Sequence, residues 1–155
     1  MKKVLIVDDN IDLLEMIEVA LTEQGFNVFT LIEAKLFFDQ VEFLKPDVIL
    51  LDIFLDGVDG RNLCRQLKSD PSLKHIPVAL YSAGHIVNSS ILESGANMFI
   101  SKPFDIMEVG EKLRSLLATG SIENFAEKYL DIILHYLPMR VWSLKSMRLA
   151  RIVHS

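Results

Sequence analysis

The first 118 residues alternate short aliphatic and β-branched runs with longer segments of helical period. Apolar runs that do not alternate with polar residues are typical of parallel strands buried on both faces. Strands that alternate with helices predict an α/β fold, in which helices cover both faces of a five-stranded parallel sheet. The predicted strands are Lys3–Val7, Asn27–Thr30, Asp47–Leu51, Pro77–Tyr81 and Asn97–Ile100.

Five segments carry the apolar periodicity of amphipathic helices. The first has Leu13, Leu14, Ile17 and Leu21 on one face, and Gly25 supplies its stop signal. The fourth begins with poor helix formers, so we expect its stability to depend on packing. The other four predicted helices span 34–43, 61–68, 86–94 and 105–117.

The chain changes character after residue 118. The first 118 residues carry eleven basic and eighteen acidic side chains, whereas residues 119–155 carry five basic and three acidic ones. Apolar residues at helical spacing predict an amphipathic helix over 122–137, which Pro138 ends or kinks, and a basic helical segment follows over 139–153. We therefore expect a main domain over 1–118 and a helical extension over 119–155.

Composition narrows the class of protein. A chain of 155 residues, half of them hydrophobic, holds one domain with an appendage and is too short for a two-domain enzyme. The net charge of −5 argues against nonspecific binding of nucleic acid across the whole surface. Cys64 is the single cysteine, and no apolar run is long enough for a signal peptide core or a membrane span. These features predict a cytoplasmic protein.

The candidate chemistry lies where the predicted strands end. Asp8 and Asp9 follow the first strand, Asp52 the third, Ser82 the fourth and Lys102 the fifth. The carboxyl ends of parallel strands share one edge of the sheet, which is where ligands bind in such folds. Three neighbouring carboxylates repel one another unless a counter-charge is present, and Mg²⁺ with a lysine would supply it. The pattern therefore indicates a site for a phosphoryl group.

Four sequence blocks hold these polar residues: Val7-Asp8-Asp9, Leu50-Leu51-Asp52, Tyr81-Ser82-Ala83 and Phe99-Ile100-Ser101-Lys102-Pro103-Phe104. With these blocks, residues 1–118 resemble the receiver domain of bacterial two-component response regulators. The resemblance implies a flavodoxin-like, doubly wound (βα)5 three-layer sandwich. It also implies a phosphoacceptor signalling domain that is not an enzyme, since it catalyses only its own phosphorylation and dephosphorylation.

The resemblance assigns a role to each acid. Asp52 would be the phosphoacceptor that takes a phosphoryl group from a sensor histidine kinase or a histidine phosphotransfer protein. Asp9, Asp52 and the backbone carbonyl of Phe54 would hold Mg²⁺ or Mn²⁺, and Asp8 would act mainly through a metal-bound water. Lys102 would pair with Asp52 and then with a phosphoryl oxygen, behind a cis peptide bond to Pro103.

Other roles follow from the same resemblance. Ser82 and the amide of Ala83 would bind the remaining phosphoryl oxygens, and Phe99 would be the aromatic residue that rotates when Ser82 moves, which exposes a new partner surface. Asp56 stands where the family usually has proline, so we expect Asp56-Gly57 to bend the chain as a turn. Phe54 is bulky and apolar, and we expect it to shield the phosphoryl group from water.

Alternatives remain open at the level of sequence. A receiver-like module could bind its partner without phosphorylation, whereas a nucleotide-binding enzyme would lack its glycine-rich phosphate loop. The extension is too short for a DNA-binding domain. It could pack on the main domain or on a second copy as a homodimer, contact an anionic membrane through its basic part, or bind a downstream protein target.

Overall fold

A computed structural model describes residues 1–84, 86 and 88–119 of the chain. This part contains seven strands, of which five are long and two are short. They are β1 (Lys3–Val7), β2 (Asn27–Leu31), β3 (Val48–Asp52), β4 (Phe54–Leu55), β5 (Val58–Asp59), β6 (Val78–Ala83) and β7 (Met98–Lys102).

Five α-helices alternate with the long strands. A short 3₁₀ turn at Ala34–Leu36 precedes the second of them. The helices are α1 (Ile11–Glu23), α2 (Phe37–Leu44), α3 (Gly60–Ser69), α4 (Asn88–Ser94) and α5 (Ile106–Thr119).

The five long strands form one parallel sheet with the order β2-β1-β3-β6-β7. Strands β1 and β3 pair at the centre, with Val4 opposite Val48 and Val7 opposite Leu51. This architecture confirms the prediction of a doubly wound α/β fold with a five-stranded parallel sheet. The order also places the ends of β1 and β3 next to each other, which matters for the site.

The core explains why the central strands read as continuous apolar runs. Every side chain of Val48–Asp52 is buried, and so is every side chain of Val4–Val7. Successive side chains of a strand point to opposite faces, so a strand covered on both faces needs an apolar residue at each position. One face carries a single buried cluster, which includes Val4, Ile6, Val48 and Leu50 of the sheet, Leu14, Ile17 and Leu21 of α1, and Val109, Leu113 and Leu116 of α5.

Helix α1 begins after Asn10. The side chain of Asn10 accepts a hydrogen bond from the backbone N–H of Leu13 at 3.1 Å, which caps the helix. Helix α1 packs against α5, and α3 packs against α4. The helical face predicted from Leu14, Ile17 and Leu21 is therefore the one that the sheet covers.

Some elements differ from the sequence prediction. Helix α4 begins at Asn88, so Ile86 lies before it, and it spans only seven residues. Weak helix formers at its start explain the short length, since propensity there does not support an additional turn. The predicted second helix begins instead as a 3₁₀ turn and ends at Leu44, after which Lys45 adopts the left-handed conformation with φ 49°.

The structure contains a short hairpin, with two residues in each strand, that the sequence did not predict. Strands β4 and β5 pair antiparallel, with Phe54 opposite Asp59 and Leu55 opposite Val58. Asp56-Gly57 forms the connecting turn that the sequence indicated, and Gly57 has φ 71°. The hairpin leads the chain from the end of β3 directly into α3.

The predicted extension over 119–155 lies outside the described residues, apart from the backbone of Thr119. The amphipathic helix over 122–137 and the basic segment over 139–153 therefore stay predictions. Within the described part of the chain, no helix has the length and apolar character needed to cross a bilayer.

Candidate functional site

The parallel sheet gathers the predicted site residues at the carboxyl ends of its strands. Asp8 follows β1 directly, and its backbone N–H donates to the carbonyl of Leu31 at 3.1 Å, which continues the ladder with β2. Asp52 is the last residue of β3, and Lys102 is the last residue of β7. One carboxylate oxygen each of Asp8, Asp9 and Asp52 lies within 4.8 Å of the others.

Asp52 is held by the backbone around it. Its side chain is 7% exposed, and its Oδ1 accepts the N–H of Phe54 at 3.3 Å. After the hairpin, the start of α3 lies against the end of β3, and a Cβ on Gly60 would lie 2.0 Å from the backbone oxygen of Asp52. Only glycine fits there, and its N–H donates to the carbonyl of Ile53 at 2.8 Å. Gly60 thus supports the position of Asp52.

Lys102 lies between two buried carboxylates. Its Nζ donates to Asp8 Oδ2 at 3.2 Å and to Asp52 Oδ2 at 3.5 Å. The peptide bond between Lys102 and Pro103 is cis, as the resemblance implied. A single ammonium group therefore serves two acids that come from different strands.

The structure also reveals a participant that sequence reasoning missed. Tyr81, one residue before Ser82, is fully buried, and its hydroxyl donates to Asp8 Oδ2 at 2.5 Å. The Lys102 ammonium lies 4.5 Å from the centroid of the Tyr81 ring. A signal was present, because a tyrosine within the apolar strand Val78–Ala83 needs a partner for its hydroxyl when buried.

Burial and a neighbouring negative charge both affect the pKa of the Asp52 carboxyl group. Burial, followed by the charge of Asp8, raises the pKa of Asp52 above its ordinary value of 3.8, against the opposing effect of Lys102 and the Phe54 amide. Burial, together with the hydrogen bond to Asp8, raises the pKa of Tyr81, which keeps its hydroxyl protonated as a donor. The site is thus short of positive charge for its acids.

The donor set fits a small, hard divalent cation. Asp8, Asp9 and Asp52 offer carboxylate oxygens within 4.8 Å of one another, and Asp9 is exposed to solvent. Mg²⁺ prefers a few carboxylate oxygens together with waters. One ammonium group cannot compensate three carboxylates, so a dication at this edge of the sheet also satisfies the charge balance.

The remaining predicted residues lie in β4, β6 and β7. Ser82 is fully buried, and its hydroxyl donates to the carbonyl of Ala83 at 3.2 Å, so it is not directed at Asp52 in this conformation. Ala83 is exposed, Phe99 is half-buried in β7, and the side chain of Phe54 is largely exposed. The structure therefore brings Asp8, Asp9, Asp52 and Lys102 together. Ser82 and Ala83 end the neighbouring strand β6, whereas Phe99 lies three residues before Lys102, opposite Leu80.

Comparison with known proteins assigns this arrangement to a family. The family model described as the response regulator receiver domain matches residues 4–114. The chain belongs to this family. The receiver domain is 37% identical over 116 residues to the response regulator PleD of Caulobacter vibrioides, a match that covers 74% of this chain and 26% of PleD. The chain therefore corresponds to about a quarter of that relative's length.

Further relatives extend the comparison. The DNA-binding dual master transcriptional regulator RpaA of Synechocystis is 29% identical over 161 residues, covering 98% of this chain and 67% of RpaA. The crystal structure of the signal receiver domain of a histidine kinase from Syntrophus aciditrophicus has a TM-score of 0.68 at 31% identity. That match covers 77% of this chain and 92% of the solved one.

These matches establish the general function of residues 4–114. They form a receiver domain of the response regulators of two-component systems, a signalling domain whose family interacts with histidine kinases. Receiver domains bind Mg²⁺ at a cluster of aspartates, and Asp8, Asp9 and Asp52 form a group that could hold a metal. The alternative of a module that works without phosphorylation is not favoured.

The raised pKa of Asp52 predicts how stability depends on pH. Folding disfavours its ionised form, so its contribution to stability is lost as pH rises through the folded-state pKa. In metal-free buffer, Asp52→Asn should therefore raise the midpoint of thermal unfolding at neutral pH. The gain should shrink as pH falls toward 3.8, the ordinary aspartate value.

The control is Asp39→Asn, which removes an exposed carboxylate of α2. Scanning calorimetry of the three proteins across pH measures the effect. A constant difference between Asp52→Asn and the wild type at every pH would contradict the prediction.

Proposed function

We propose that Asp52 is the phosphoacceptor of this receiver domain and that the donor is the phosphohistidine of a sensor histidine kinase or a histidine phosphotransfer protein. The observation that carries the proposal is the placement of Asp52 at the end of β3, 3.5 Å from the Lys102 ammonium and beside Asp8 and Asp9. A carboxylate held in this way is oriented for nucleophilic attack.

The reaction balances as a simple transfer. A carboxylate oxygen of Asp52 attacks phosphorus, the bond from phosphorus to the histidine nitrogen breaks, and the electron pair stays on the imidazole. Asp52 loses its negative charge in forming the acyl phosphate, and the phosphoryl oxygens bring new negative charge to the same place. Lys102 is near enough to transfer its hydrogen bond from Asp52 to one of these oxygens.

We assign the metal to the same edge of the sheet. Asp9, Asp52 and the backbone carbonyl of Phe54 would hold Mg²⁺ or Mn²⁺, and Asp8 would contribute mainly through a bound water. A cation bound there offsets the charge on the equatorial phosphoryl oxygens. The oxygen-only donor set and the excess of carboxylates over ammonium groups support this assignment.

Ser82 and the amide of Ala83 complete the proposed phosphoryl site. The Ser82 hydroxyl now donates to the carbonyl of Ala83, so it must rotate to reach a phosphoryl oxygen. That movement would free space beside β7, and Phe99 would turn into it. The half-buried position of Phe99 supports this assignment, because a fully packed ring could not change its rotamer without a cavity.

The proposal also covers the cellular compartment of the protein and the reactions that the domain catalyses. The single cysteine, Cys64, is buried, which is consistent with a reducing compartment and supports a cytoplasmic location. The only reactions proposed are the domain's own phosphorylation and dephosphorylation at Asp52. Its output is then a change of surface that a downstream protein target recognises.

Phosphorylation tests the assignment of Asp52 directly. Incubation of the full chain with acetyl phosphate and Mg²⁺ should add the mass of one phosphoryl group, and chelation of the metal should prevent the addition. Asp52→Asn should abolish it, whereas the exposed Asp39→Asn should not. An unmodified wild-type chain in the intact mass spectrum would support the phosphorylation-independent alternative.

The position of Phe54 predicts that water hydrolyses the aspartyl phosphate slowly. Its backbone N–H bonds to Asp52, and its side chain is 56% exposed beside the acceptor, where an apolar ring hinders an attacking water. Phe54→Asn should accelerate hydrolysis of the aspartyl phosphate on the order of tenfold. Phe54→Leu serves as the apolar control and should retain the slow rate. The decay of phosphoprotein after removal of the donor measures both, and equal rates for wild type and Phe54→Asn would refute the role.

The proposed movement of Ser82 and Phe99 predicts a local change in amide hydrogen exchange. Beryllofluoride, a mimic of the phosphoryl group, should alter amide hydrogen exchange in α4, β7 and α5, because Ser82 and Phe99 would adopt their second arrangement. Ser82→Ala should weaken this response without unfolding the domain. Identical protection of these amides from exchange with and without the mimic would contradict the proposed movement of Ser82 and Phe99.

A further inference from the structure

Tyr81 contacts two of the charged groups of the site at once. It is the single aromatic residue of β6, its side chain is fully buried, and its hydroxyl donates to Asp8 Oδ2 at 2.5 Å. The ring lies under the Lys102 ammonium at 4.5 Å and meets Phe104 edge-on at 6.0 Å. Tyr81 is therefore fixed by packing on one side and by charge on the other.

Asp8 is the most fully compensated acid of the cluster. A carboxylate has about four lone-pair directions. The Asn10 N–H occupies one on Oδ1 at 2.8 Å, and the Tyr81 hydroxyl and the Lys102 ammonium at 3.2 Å occupy two on Oδ2. The protein itself thus supplies most of the donors that Asp8 can accept.

Asp9 and Asp52 are less engaged. Asp52 accepts two long hydrogen bonds, one from the Phe54 N–H at 3.3 Å and one from Lys102 at 3.5 Å, and Asp9 faces solvent. A donor on a carboxylate reduces the charge and the lone pairs that remain for a cation or its water. The three acids therefore differ in how many lone pairs remain free for a metal ion or its water. Asp8 retains the fewest.

We propose that Tyr81 is a positioning residue that competes for Asp8 and lowers the affinity of the site for divalent cations. Through its hydroxyl it holds Asp8 Oδ2, so Asp9 and Asp52 carry most of the cation's binding energy. The inference rests on the proposed function, because it concerns the metal assigned to that site. It concerns this chain's particular residue, a tyrosine in a strand whose other core positions are aliphatic or small.

Tyr81→Phe isolates the hydroxyl. Phenylalanine keeps the ring beside Lys102 and Phe104 and removes only the hydrogen bond to Asp8. Because a hydrogen bond to a charged group contributes more than a neutral one, the dissociation constant for Mn²⁺ should fall about tenfold in Tyr81→Phe. Electron paramagnetic resonance of free Mn²⁺, titrated into the full chain, measures this constant without any phosphoryl donor.

A double-mutant cycle shows whether Tyr81 acts through Asp8. In an Asp8→Asn background, Tyr81→Phe should leave the dissociation constant for Mn²⁺ unchanged, because the acid for which the hydroxyl competes is absent. The matched control is Ser94→Ala, which removes another buried hydroxyl, one that donates to the Ile91 carbonyl, and should not change metal affinity.

A second measurement separates binding from chemistry. The rate of phosphorylation by acetyl phosphate should reach half its maximum at about tenfold lower Mg²⁺ in Tyr81→Phe, with the rate at saturating Mg²⁺ unchanged. Thermal unfolding in metal-free buffer confirms that each variant is folded.

The outcomes distinguish the two proposals. Equal or weaker Mn²⁺ affinity in Tyr81→Phe, or the same gain when Asp8 is replaced, overturns the role of Tyr81 while phosphorylation of Asp52 stands. Tighter Mn²⁺ binding in a chain that never accepts a phosphoryl group supports Tyr81 and overturns the proposed function. Absence of Mn²⁺ binding in both wild type and Tyr81→Phe overturns both.

Discussion

The mutual repulsion of three carboxylates at one edge of a parallel sheet is the constraint on which the site depends. Asp8 and Asp52 are buried and come from adjacent strands, so their charges cannot be screened by water as surface charges are. Lys102 lies within hydrogen-bond distance of both, and a divalent cation is the natural complement for the charge that remains. The same unfavourable charge makes this edge of the sheet receptive to a cation and a phosphoryl group.

The fold holds these groups in place through elements that carry no charge. Central strands that are buried on both faces fix the end of β1 beside the end of β3. Gly60 then allows the start of α3 to lie against the end of β3, where a side chain would collide with the backbone oxygen of Asp52. Rigid apolar strands thus fix the positions of the site residues, which lie at the carboxyl ends of these strands or directly after them.

Stability and ionisation oppose each other at Asp52. Burial raises the pKa of this carboxyl group, which means that its ionised form, the proposed nucleophile, costs folding free energy. Tyr81 and the Asn10 amide relieve the neighbouring Asp8 instead, each through a hydrogen bond. The protein therefore compensates one acid internally and leaves the other dependent on Lys102 and on an external charge, which is the arrangement expected where a ligand completes a site.

Local patterns in the sequence determined most of the architecture. Continuous apolar runs marked the buried strands, the spacing of Leu14, Ile17 and Leu21 marked a covered helix face, and acids and a lysine at strand ends marked the functional edge of the sheet. Each of these is a short-range signal, because strand and helix periodicities are properties of a few consecutive residues. The start of α4 was misplaced because weak helix formers leave that boundary to packing.

Long-range contacts decided the rest. The bond from the Tyr81 hydroxyl to Asp8 joins residues that are 73 positions apart, and Lys102 reaches Asp8 across 94 positions, so no local pattern encodes either contact. The need for glycine at position 60 depends likewise on the backbone of Asp52 lying against it. Local patterns along the chain were enough to predict which groups reach one edge of the sheet. The donor that each acid receives could be read only from the folded domain, because hydrogen bonding depends on differences of a few tenths of an ångström that packing sets.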